Sequence, residues 1–160
     1  MDLQKKEKLL AMGMAFTKAL AAVSERFDLG LELCFLSYTF MFEDQTMCME
    51  CFYESESVEE VLPYLWKEDY TIEKFLYDED DGTEAVILGA ESLYYILYGY
   101  QAGQKYWQDS FEDDEAEALY ECMTDVFDQY GYGVDLAREG IIKLYPYQAD
   151  DCSTMEEISW

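Results

Sequence analysis

The side chains best placed by type and spacing to do chemistry are carboxylates. In the stretch SFEDDEAEALYECMTDVFDQY, residues 110–130, eight of twenty-one residues are acidic and none is basic. At 100° per residue, Asp114, Glu117, Glu121, Asp125 and Asp128 fall within about 80° of arc on a helix. Phe111, Leu119, Cys122, Val126 and Tyr130 are expected on the opposite, apolar side. From Asp114 to Asp128 the rise is about 21 Å, so the five charges recur every ~5 Å. One DNA strand carries a phosphate charge every ~3.4 Å of axis, a ladder of the same sign and comparable spacing.

Solvated helix faces ordinarily mix signs, because an i,i+4 Glu–Lys pair contributes about 0.2–0.5 kcal/mol and a like pair costs as much. Here the neighbours 114/117, 117/121, 121/125 and 125/128 all repel. A helix that forgoes this stabilisation four times in succession breaks the local consistency of a purely structural element, and such breaks mark function. Asp109, Glu112 and Asp113 extend the run, and Asp78, Glu79, Asp80 and Asp81 form a second acidic segment, so all of these join the candidate partner-binding set.

Other chemistries find less support. With Gly82 at position 6 of a calcium loop, position 1 is Tyr77 and position 12 is Leu88, neither of them the ligand required. Cys48-Met49-Glu50-Cys51 is a CxxC, but no second CxxC and no histidine complete a zinc pattern, and on a strand the two thiols point to opposite faces. Buried free thiols are expected, and no metal or other cofactor. Without histidine there is no Ser-His or Cys-His pair, and neither a Walker loop nor GxGxxG occurs, so the chain is not expected to be an enzyme. The fifteen tyrosines, crowded at Tyr94, Tyr95, Tyr98, Tyr100 and Tyr106 beside Trp107, suit core and boundary positions and also arginine-stacking interfaces.

Composition sets the frame for these residues. Half the chain is apolar and 17% aromatic, which fits a folded domain rather than a disordered acidic tail. The 160 residues suffice for a single core. Thirty-six acidic against ten basic residues give a net charge of −26, where a small domain carries a magnitude of about 2–8. Residues 1–26 alone are at +2, which leaves −28 on the remainder. Such a surface repels nucleic acid and anionic membranes and attracts basic proteins. The odd number of cysteines, five, fits reduced thiols and a cytoplasmic location. Lys5, Lys6 and Lys8 before LLAMGMAF imitate a signal peptide, but Asp2 and Glu7 sit in its basic region and Lys18 near its cleavage site.

The elements that must position the carboxylates follow from periodicity. Leu9, Met12, Phe16, Leu20, Val23 and Phe27 predict a helix over 3–27, ended at Gly30. Residues 31–42 and 46–53 read as a β-hairpin, and Ser57/Glu60 as the capping box of a helix over 58–67. TIEKFLY suggests a further turn or two of helix. AVILGAESLYYILYGYQAGQKYW suits a buried helix, with Ala85–Leu88 as an alternative strand. Ser110 opens the acidic helix, which runs to about Tyr130, and VDLAREGIIKLY, 134–145, reads as a last helix stopped by Pro146. The expectation is an α+β, predominantly helical domain over 1–147 with about five helices, one N-terminal-half hairpin and a single core. A loose polar tail follows over 148–160.

These readings favour an acidic mimic of nucleic acid that occupies the basic cleft of a nucleic-acid-handling protein such as a nuclease. Small acidic inhibitors of restriction enzymes and CRISPR nucleases, encoded by phages and mobile elements, use this strategy. The chain resembles them in composition and charge layout. An immunity protein against a basic toxin nuclease, or an acidic adaptor domain whose charge serves solubility, are the alternatives.

Overall fold

The computed structural model describes residues 2–27, 38–43, 45–67, 81–89, 93–94, 97–98, 113–138 and 140–147. Helix α1 spans Leu3–Arg26. Its first turn is capped by Asp2, whose carboxylate accepts the Lys5 N–H at 2.8 Å, satisfying one of the donors a helix start leaves open. The predicted stripe is the buried one: Leu9, Met12, Phe16 and Leu20 are fully inside, and Val23 packs at the margin. The helix ends at Arg26, and the expected stop at Gly30 lies outside the described residues.

Strands β1 (Thr39–Phe42) and β2 (Gln45–Cys48) form a hairpin with Phe42 opposite Gln45. Glu43 turns the corner with φ of 54°. The sequence predicts β2 through residue 53; instead Met49–Glu54 is a short helix, α2. Helical spacing buries Met49 and Phe52 together, and the Phe52 ring lies so close to Gly13 of α1 that an added Cβ would stand 2.8 Å from it. That tertiary contact overrides the local strand preference of an aromatic, sulfur-rich run.

The helix expected over 58–67 is also cut short. Helix α3 covers only Val58–Val61, a 3₁₀ turn follows over Leu62–Tyr64 around Pro63, and Trp66–Lys67 forms β3 against β2. Ser57 stands at the N-cap position without a side-chain cap, whereas Glu60 accepts the Glu56 N–H at 2.9 Å. Proline tolerates the start of a helix but blocks its continuation.

Ala85–Leu88 is strand β4, the alternative reading of that segment. The acidic helix, α4, spans Asp113–Gln129. The largest departure comes after it. In place of a helix over 134–145, Tyr132–Arg138 (β5) and Ile141–Pro146 (β6) form an antiparallel hairpin with a register shift between Asp135 and Arg138. Ile142 and Leu144 alternate inward, a period of two that the helix-forming letters of DLAREG obscure, and Gly140 turns the chain with φ of 78°.

Among the described residues there are thus four bounded α-helices on an antiparallel sheet, which corrects the expected five helices and one hairpin. The sheet order is β3-β2-β1-β4-β6-β5, with the two-residue β3 at one edge and β5 at the other. Phe40, Phe42, Met47, Ala85, Ile87, Ile142 and Leu144 join α1, α2 and α4 in one contiguous apolar cluster. TIEKFLY, most of the acidic 78–81 loop and the 148–160 tail lie outside the described residues.

Candidate functional site

Helix α4 is positioned by its apolar side. Leu119, Met123 and Phe127 are fully buried, and the Phe127 ring meets Phe16 of α1 at a centroid distance of 4.8 Å. The inward axis is therefore rotated by about 70° from the expected one, because Cys122, Val126 and Tyr130 are only half buried. Gly131, with φ of +81°, ends the helix and turns it into β5.

The rotation brings the helix's buried axis almost diametrically opposite the acidic stripe. Asp114, Glu117, Glu121, Asp125 and Asp128 are all exposed. The ion pairs Lys5–Glu84 and Lys143–Asp81 do not involve them. Asp113 is the first residue of α4, and Asp109, Glu112, Asp78, Glu79 and Asp80 lie outside the described residues.

Asp81 is committed elsewhere. Its carboxylate accepts the Thr83 hydroxyl, the Thr83 N–H at 3.0 Å and the Lys143 ammonium at 2.9 Å, tying the entry of β4 to β6. The Thr83 hydroxyl, and after it Lys143, hold the carboxyl below its ordinary range. Its stabilising role is thus present at neutral pH and lost as pH falls through that lowered value.

The described thiols are half-buried rather than fully buried as expected. Cys48, Cys51 and Cys122 are free, and Cys34 and Cys152 fall outside the described residues. The CxxC is not a strand pair as expected: Cys48 stands at the N-cap of α2 and Cys51 in its first turn. Burial, then the neighbouring Cys48, Glu54 and Glu50, push the Cys51 thiol up. Among the described residues no cluster of His, Cys, Asp or Glu is placed to hold a metal ion.

Burial, followed by the Asp125 carboxylate, pushes Cys122 up to about 11. Alkylation requires the thiolate. Iodoacetamide labelling of the native chain, resolved by peptide mass spectrometry, should therefore give a Cys122 rate that climbs about tenfold per pH unit to near pH 11, while the unfolded chain levels off near ~8.5. A native-state plateau below pH 9 would contradict the placement of this side chain against the core.

One feature beside the ladder has no signal in the sequence. A cleft of about 240 Å³ opens between α4 and the β5–β6 hairpin, lined among others by Tyr120, Thr124, Tyr132, Val134, Tyr145 and Tyr147. These residues meet only through strand pairing and the packing of α4 on β5. Among the described residues no helix is long and apolar enough to cross a membrane. Compared with known proteins, the chain matches no family model, no curated protein and no solved structure.

Proposed function

We propose that this protein is an acidic nucleic-acid mimic, an inhibitor that docks its α4 face into the basic cleft of a nucleic-acid-handling protein such as a nuclease. The observation that carries this reading is the exposure of all five ladder carboxylates along one face of a single helix, on a chain of net charge −26. A rigid helix fixed to the core by Leu119, Met123 and Phe127 holds its charges in register without an ordering cost at binding. The summed field steers a basic partner toward that face, and both rate and affinity fall as salt rises.

Mimicry makes a demand that simple acidity does not: the protein and nucleic acid must exclude each other. A nuclease retained on the immobilised protein at ~50 mM salt is expected to be released by a duplex oligonucleotide it binds, at constant ionic strength. A ternary complex of nuclease, duplex and this protein, seen by size exclusion with light scattering, would refute the reading.

A further inference from the structure

We infer that the tyrosine-lined cleft beside α4 receives an arginine side chain of the basic partner, so that the ladder supplies attraction and the cleft supplies selection. The inference rests on the proposed docking face and names what that face recognises.

Size is the first argument. The cleft's roughly 240 Å³ falls below the ~300–1,000 Å³ of small-molecule and cofactor sites and suits one side chain. Its walls are the second. Tyr145 and Tyr147, 37% and 46% exposed, present aromatic rings at its rim. The ring of Tyr145 lies across its strand partner Gly133, where an added Cβ would stand 2.7 Å from it. Glycine at this position lets the tyrosine form a flat wall over the edge strand. A tyrosine face attracts a cation through its quadrupole, and the planar guanidinium stacks there where a compact ammonium does not. Among the described residues a tyrosine of this cleft already meets a cation, the Lys8 ammonium standing 5.2 Å from the centroid of the Tyr132 ring.

Charge is the third argument. Residues three or four apart on a helix are neighbours. Tyr120 therefore stands next to Glu117, and Thr124 next to Glu121 and Asp128, so three ladder carboxylates lie within one helical turn of the residues that line the cleft. Strand β5 is the sheet's edge among the described residues; its Leu136 carbonyl accepts the Tyr94 hydroxyl at 3.5 Å, and the outward carbonyls nearer Gly133 can accept the remaining guanidinium N–H groups. An anionic occupant would be repelled, and an apolar one would gain nothing from the carboxylates around it.

The test is an amide NMR titration of the full chain with capped triarginine and trilysine peptides of equal charge. Triarginine is expected to bind roughly fivefold more tightly, with shifts at Gly133, Tyr145 and Tyr147. The double variant Tyr145→Ser/Tyr147→Ser should reduce the preference to near unity while both peptides still bind in a salt-dependent way. Gly133→Ala, which displaces the Tyr145 ring without removing it, should lower the preference too and serves if the double variant fails to fold. Equal affinities in the parent chain, with shifts confined to α4, would overturn the cleft and leave the ladder standing. Absence of binding by either peptide at low salt would overturn both.

Discussion

Reversing Glu121 and Asp125 to lysine is expected to weaken binding to a basic partner roughly 30-fold or more, while the protein stays folded. Breaking a hydrogen-bonded interfacial charge pair costs about 2 kcal/mol at the lower end, and about 1.4 kcal/mol corresponds to tenfold in affinity. Stability should move the other way. The pairs 117/121 and 125/128 change from repulsive to attractive and 121/125 stays repulsive, a gain of roughly 1–2 kcal/mol at low salt. Each reversal shifts the charge by two, so the net charge goes from −26 to −22 and the general acidity survives. Reversing Glu54 and Glu59, exposed on α2 and α3, makes the same change in net charge away from α4 and serves as the control. Calorimetric titration separates the cases. Equal losses for both double variants would mean that total charge matters and the ladder does not.

Phe127→Ala is expected to cost about 3–5 kcal/mol, the range for emptying a buried aromatic site. At about 2–4 °C per kcal/mol for a chain of this size, the melting point should fall by roughly 10 °C. The effect reaches function because α4 cannot rely on itself: its like-charged neighbours oppose it, and helices of this length owe their stability mainly to tertiary packing. Phe127 and Phe16 are the contact that holds the stripe outward. Phe127→Leu retains most of the volume and should lose less than half as much. A thermal melt followed by circular dichroism decides it, and a drop of under 2 °C for the alanine variant would mean that α4 is not anchored through this ring.

The sequence made the long helices legible because α1 and α4 run for nearly seven and nearly five turns, enough for the 3.6 period to stand out. The exposed ladder was legible for the same reason, although the inward axis was placed too far toward Cys122 and Val126 and missed Met123 and Phe127. Short segments failed where non-local contacts decide. Residues 49–54 become helical to seat Phe52 on Gly13, and 134–145 become a hairpin because Val134, Ile142 and Leu144 find partners across β4 and β6. The cleft was illegible in principle: Tyr120, Tyr132, Tyr145 and Tyr147 share no periodicity, and strand pairing together with the packing of α4 on β5 brings them together.

The turn at Gly131 carries a consequence for how this face comes into being. Gly131 passes the chain from α4 straight into β5, and its carbonyl accepts the Tyr147 N–H at 2.8 Å, closing the segment that begins with α4. Ladder and cleft therefore lie on one uninterrupted length of chain, 113–147, joined by connections of two residues each. Closing such short loops costs little entropy, and contacts of small sequence separation form early. The two recognition elements are thus neighbours in sequence as well as in space, and both depend on the same docking of α4 against Phe16 of α1.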